Sequence, residues 1–208
     1  MTSGRSTRHT VVALLVAGVA VVAIVIVLLV AGDDGARDSR ALPAQSPYPR
    51  YHRVSDDSGA IEVDVPVAWR EVSGAPLDTG ASGHDPYVQA SSDLDAYRHG
   101  FDTAGLEILV VESSRVGEDH SRLLAEIAAR SETADCTEEE PRQAFDQRGF
   151  EGFLDVFSDC GPNHAQLWLV AAAPRDTDRG VVVVGIKVLT TADREAAERA
   201  LSTFTVTG

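Results

Sequence analysis

Val11 to Ala31 is a stretch of 21 residues without a charged or strongly polar side chain. As a helix rising about 1.5 Å per residue it is about 31 Å long, which matches a bilayer hydrocarbon core of about 30 Å. The segment is predicted to cross a membrane once. In lipid each backbone amide must find its partner within the segment, and a helix achieves this even when rich in valine and isoleucine. Arg5 and Arg8 precede the run and Asp33 and Asp34 follow it. The positive-inside rule therefore leaves residues 1–10 as a cytoplasmic tail and puts the rest of the chain outside. The competing reading is a cleavable signal peptide, for which Val30-Ala31-Gly32 offers small residues. The apolar run exceeds the about 7 to 15 residues usual in such leaders, which favours a retained helix. A lipid anchor needs a cysteine directly after the run, and the first cysteine is Cys136. Ala13, Ala17 and Ala20 form a small-residue stripe of the kind that membrane helix pairs use, but the abundance of alanine accounts for it.

With Arg5 and Arg8 set aside, 16 basic side chains stand against 32 acidic ones, a balance of −16 before histidine. Such a surface repels phosphate backbones and anionic lipid head groups, which argues against nucleic-acid binding and peripheral adhesion to acidic membranes. Residues 32–50 hold proline, glycine, serine and charge without apolar periodicity and read as a flexible linker. Residues 51–208 remain, enough for one core that buries roughly 70% of the extended chain's surface.

Ile61, Val63 and Val65 alternate with Glu62 and Asp64, the pattern of a half-buried strand near a sheet rim, ended by Pro66 with Trp69 folding back onto the core. Asp93 to His99 reads as a short helix. Gly105 to Glu112 reads as a strand with Leu106, Ile108 and Val110 on one face and Leu109 and Val111 on the other. Asp119 caps a helix to about Arg130 whose inner stripe is Leu123, Leu124, Ile127 and Ala128. Ala165 to Ala173 and Val181 to Leu189 are apolar on both faces, as strands in the middle of a covered sheet are. Thr190-Thr191-Ala192-Asp193 reads as a capping box opening a last helix that buries Ala197, Ala200 and Leu201, after which Phe204 and Val206 close the core. Hairpin-length connections at Gln147-Arg148-Gly149 and Gly161-Pro162-Asn163 make the sheet largely antiparallel. The fold class is α+β, an antiparallel sheet flanked by helices.

Cys136 and Cys160 are the only cysteines, and an even count on the oxidising side of a membrane predicts a disulfide. A hairpin turning at Arg148 sets them opposite each other, with a one-residue slip allowed by a bulge at Pro141 or Gly152. A redox thiol pair would need a C-x-x-C arrangement, which is absent.

Leu77-Asp78-Thr79-Gly80-Ala81-Ser82 has the look of an aspartic-protease loop, with Val182-Val183-Val184-Gly185 as the accompanying hydrophobic-glycine motif. One copy would demand a homodimer to pair two carboxylates. Ser73-Gly74-Ala75-Pro76 stands where a buried strand should lead into Asp78, so a surface turn is the simpler reading. His9, His52, His84, His99, His120 and His164 show no metal-ligand spacing. His84-Asp85 and Glu118-Asp119-His120 are of ligand type and would hold a metal if the fold brought them together, but exposed polar loops look the same and are the simpler reading. Asp93-x-Asp95 suits a helix start better than a calcium loop, and Glu138-Glu139-Glu140 a solvated face. No G-x-S-x-G, phosphate-binding glycine loop or cysteine–histidine pair occurs. No catalytic, metal or cofactor site is expected.

Asp57-Ser58-Gly59-Ala60-Ile61-Glu62-Val63-Asp64-Val65-Pro66 with Trp69, then Asp93-Leu94-Asp95-Ala96-Tyr97, Cys136, Gly152-Phe153, Asp155, Cys160-Gly161 and Thr203-Phe204-Thr205-Val206 together resemble a known family. It comprises extracytoplasmic actinobacterial domains related to PsbP, the photosystem II extrinsic subunit, and to the LpqN-like lipoproteins. The resemblance spans about Tyr51 to Val206. It implies an α/β/α sandwich and a binding or scaffolding role without shared catalytic residues. The family's usual lipid anchor is replaced here by the apolar helix. Seventeen arginines against one lysine suit a GC-rich genome. The expectation is a single-pass, membrane-anchored extracytoplasmic domain that binds an envelope protein or ligand, touching the bilayer through residues 11–31. The alternative is an extracytoplasmic hydrolase using Asp78.

Overall fold

A computed structural model of the chain describes residues 41–78, 84–113, 119–130, 133, 136–138, 141–175 and 180–207. The predicted cytoplasmic tail, the predicted membrane helix at residues 11–31 and residues 32–40 of the predicted linker lie outside the described residues. Among the described residues no helix is long and apolar enough to cross a membrane.

In chain order the elements are β1 (Tyr51–Ser55), β2 (Ile61–Pro66), β3 (Glu71–Ser73), β4 (Leu77–Asp78), β5 (His84–Asp85), β6 (Tyr87–Ser91), α1 (Leu94–His99) and β7 (Gly105–Val111). There follow α2 (His120–Arg130), β8 (Thr137–Glu138), β9 (Gln143–Gln147), β10 (Phe150–Cys160), β11 (Ala165–Pro174), β12 (Val181–Val188), α3 (Thr191–Thr203) and β13 (Thr205–Val206). An eight-stranded sheet runs β3-β6-β7-β12-β11-β10, and β10 pairs with both β8 and β9 at the far side. Its pairings are antiparallel. The strands that are apolar on both faces, β7, β12 and β11, occupy the middle of the sheet. The fold is α+β, rich in antiparallel sheet with few helices.

The alternating strand is not at the rim of this sheet. β2 is the middle of a separate three-stranded sheet, paired with β1 and β13. Its inward residues Ile61, Val63 and Val65 are fully buried, while Asp64 on the other face bonds Arg53 and Arg199. This small sheet and α3 together close one face of the large sheet. The shared core runs from Ile61 and Trp69 through Ile108, Val184 and Ile186 to Ala196, Ala200 and Phe204. On the opposite face α2 covers β10 and β11, packing Leu124 with Leu167, Leu169 and Ala171.

The helix ends obey local chemistry. Asp93 caps α1 by accepting from the Ala96 amide at 2.9 Å, and Asp119 accepts from Arg122 at the start of α2. Thr190 and Asp193 form the reciprocal capping box of α3.

The linker assignment needs correction at its C-terminal end. Leu42 is buried in the core, the Pro43 carbonyl accepts from Thr191, and Tyr48 donates to Asp193 at 2.6 Å and meets Trp69 edge-on. Residues 42–50 are therefore held along the N-terminal end of α3. Their composition concealed this because three spaced anchors, Leu42, Tyr48 and the Pro43 carbonyl, need no periodicity.

The cysteine pair is a disulfide, Cα to Cα 4.3 Å. Arg148 and Gly149 both have positive φ, 55° and 81°, the geometry a two-residue hairpin turn demands. Beyond that turn the register departs from the simple hairpin. Leu154 faces Gln143, but Phe157 faces Glu138, so three steps along β10 match five along its partners. The slip is two residues, one more than expected. A second irregularity between Phe157 and Cys160, with Asp159 at φ 54°, brings Cys160 beside Cys136.

Candidate functional site

Half of the large sheet's second face is left open by α2. Cross-strand partners point to the same side of a sheet, so the register places Gln89, Glu107, Gly185 and Leu169 in one row across β6, β7, β12 and β11. Lys187 and Leu167 belong to a parallel row. Above these rows, between α1 and the segment that follows β3, lies a cleft of about 600 Å³. That is within the range of about 300 to 1,000 Å³ typical of small-ligand sites.

The cleft carries a continuous polar chain. Tyr87 donates its hydroxyl to Glu107 Oε2 at 2.5 Å, and Gln89 Nε2 donates to the same oxygen at 3.2 Å. Arg98 donates through Nε and Nη2 to Gln89 Oε1 at 2.9 and 2.7 Å. Gly185 makes room for this arrangement, since a Cβ there would stand 3.1 Å from Glu107 Oε1. Burial, followed by the charge of Glu107 and the hydrogen bond to it, pushes the Tyr87 phenol far above its ordinary range. Tyr87 therefore remains a donor at physiological pH. Gln89 is buried, Glu107 is half-buried and Arg98 is exposed. Neither Glu107 Oε1 nor Arg98 Nη1 makes a hydrogen bond among the described residues.

Lys187, the chain's one lysine, locks the wall. Its Nζ donates to the carbonyls of Tyr97 and Gly100 at 2.5 and 2.7 Å, at the C-terminal end of α1 where a cation is favoured. It also stands 4.8 Å from the ring centroids of Tyr97 and Phe101. Tyr97 is fully buried, which pushes its phenol well above the usual value, and it donates to the Gly185 carbonyl at 3.3 Å. Phe101, Leu167 and Leu169 form the apolar floor of the cleft through the small part of their surface left outside the α2 cluster, being 6%, 5% and 3% exposed.

The residues singled out by sequence fall elsewhere. Asp78 is exposed in a two-residue ribbon, opposite His84. Thr79 to Ser82 lie outside the described residues. The Val182–Gly185 segment is not a loop beside Asp78 but part of the ladder of β12. Asp93 is a helix cap, His99 bonds the Asp95 carbonyl, and His164 lies 3.3 Å from Asp159. Among the described residues no group of three metal-ligating side chains comes together. Sequence reasoning missed Tyr87, Gln89, Arg98 and Glu107 because three separate elements, β6, α1 and β7, supply them. The available signal was Glu107 and Lys187, each a charge interrupting an otherwise apolar strand.

No protein-family model matches the chain, and no curated protein matches it. Among solved structures it is similar to CyanoP, the cyanobacterial PsbP of Synechocystis sp. PCC 6803. That match has 16% identity, covers 85% of this chain and 100% of the other, and has a TM-score of 0.43. It is also similar to a Pseudomonas aeruginosa protein of unknown function described as a candidate regulator, with 14% identity, 76% and 99% coverage and a TM-score of 0.38.

Proposed function

We propose that this protein is a membrane-anchored, extracytoplasmic binding domain of the cell envelope that holds a small ligand in the cleft over β6, β7 and β12 without transforming it. In this reading residues 11–31 are the anchor, the N-terminus is cytoplasmic, and the domain belongs with the PsbP-like and LpqN-like actinobacterial proteins that its sequence resembles. One observation carries the binding role: a row of hydrogen-bonding side chains, partly unsatisfied among the described residues, lies over an apolar floor beside the part of the large sheet that α2 covers. That combination characterises ligand pockets. Among the described residues that line the cleft, the one carboxylate is tied to Tyr87 and Gln89. The sulfur bridge suits an oxidising compartment.

Melting the detergent-solubilised full chain in the presence of an envelope small-molecule extract tests the binding role. The extract is expected to raise the melting temperature of the wild-type chain and not that of the Arg98→Met/Glu107→Gln double variant. No rise, or an equal rise in both, overturns it. The anchor is tested by placing a cysteine at Asp33 in intact cells. Labelling by an impermeant maleimide is expected, and labelling only after the cytoplasm is opened reverses the topology.

A further inference from the structure

We infer that the ligand is a small zwitterion with an apolar body, the chemistry of an apolar amino acid. Its ammonium meets Glu107 Oε1, its carboxylate meets Arg98 Nη1, and its side chain lies on Phe101, Leu167 and Leu169. The inference rests on the cleft being a ligand site and names what fills it.

Glu107 offers an acceptor, Oε1, that no other described residue uses, while its Oε2 is held by two neutral donors, Tyr87 and Gln89. A protonated amine is the strongest complement to such an oxygen. Arg98 spends Nε and Nη2 on Gln89 and keeps Nη1 for an acceptor. A carboxylate is the natural partner of the free end of a guanidinium. The two groups flank a single side-chain amide, that of Gln89, so both are within reach of one amino-acid backbone. Lys187 does not compete for the carboxylate, because its bonds to Tyr97 and Gly100 hold it at the end of α1.

Other ligand classes satisfy less of this. A purely cationic amphiphile leaves Arg98 Nη1 facing like charge. A phosphorylated ligand meets both Glu107 and a chain of net charge −14. A sugar supplies hydroxyls but has no group for the apolar floor.

Isothermal titration of the full chain in detergent with leucine and phenylalanine tests this, beside N-acetyl-leucine, leucinamide and glucose. Both free amino acids are expected to bind. The acetylated and amidated derivatives should each be at least about tenfold weaker, since each loses one charge-assisted contact, and glucose should give no heat. Arg98→Met should abolish the discrimination against leucinamide, and Glu107→Gln that against N-acetyl-leucine. The derivative series needs only the wild-type chain, so it decides the matter even where a variant fails to fold. Derivatives as tight as leucine, tighter binding of glucose, or no binding of leucine at millimolar concentration overturns the assignment. If leucine fails while an envelope extract still stabilises the wild-type chain and not the double variant, the ligand class falls and the binding role stands. If neither stabilises it, both fall.

Discussion

Arg142 holds Asp155 with both arms of its guanidinium, Nε to Oδ1 at 2.8 Å and Nη2 to Oδ2 at 2.6 Å. Asp155 is only 3% exposed, and this pairing holds both of its carboxylate oxygens. Nη1 of the same arginine donates to the carbonyl and hydroxyl oxygens of Ser121, both at 2.6 Å, which ties the first turn of α2 to β10. Removing Arg142 leaves the Asp155 carboxylate buried without its partner, so Arg142→Met should destabilise the fold by about 3 to 5 kcal/mol. Urea unfolding of the wild-type and variant chains measures this. A loss below about 1 kcal/mol would show that the pair is as weak as an ordinary surface bridge.

All four tyrosines, Tyr48, Tyr51, Tyr87 and Tyr97, have phenols raised above the ordinary value of 10.0. Burial is the leading cause in each. Asp193 adds to it at Tyr48 and Glu107 at Tyr87, while Arg199 opposes it at Tyr51. The folded state keeps protons that the unfolded chain gives up. This contribution to stability is therefore complete below pH 10 and declines as pH rises beyond it toward the folded values. Phenolate absorbance followed together with circular dichroism should show ionisation arriving with unfolding. Phenolate formation near pH 10 in a fully folded chain would contradict it.

The bridge between Cys136 and Cys160 closes a loop of about 25 residues, for which the chain-entropy relation gives about 3.5 kcal/mol. Cys136→Ser should lower the unfolding free energy by about that amount and abolish the mobility shift seen on reduction of the wild-type chain. An unchanged denaturation midpoint would mean that the α2 and β10 packing alone sets this region's stability.

The docked segment before β1 makes a distinct prediction. Leu42→Ala should cost about 2 kcal/mol by emptying a core position, and Tyr48→Phe about 1.5 kcal/mol by stripping Asp193 of a donor. Denaturant midpoints check both values. Equality with wild type in both variants would return residues 42–50 to the status of a loose linker.

Where physics is local, the sequence was legible. The hairpin connection at Gln147-Arg148-Gly149, the Thr190–Asp193 box, the helix start at Asp93, the Asp119 cap and the apolar middle strands each depend on neighbours within a few residues. The cleft was not legible in this way. Gln89 and Glu107 become neighbours only once β6 and β7 pair, and the room for Glu107 comes from Gly185 on a third strand. Nor could alternation in Ile61–Val65 tell a rim strand from the centre of a second sheet, since both bury one face. The two-residue slip between β8 and β9 was equally hidden, because Pro141 signals a break without stating its size.

The large sheet is sealed on the side of Trp69 and Phe204 and only half covered on the side of Glu107. On the proposed binding role, recognition falls on the face that cohesion uses only in part, where α2 packs, and the opposite face of the same strands serves cohesion alone. Exchanges at Ser73, Ala75 or Arg98 leave the sealed side intact, so the scaffold can drift toward new specificities through single mutations while its resistance to melting changes little.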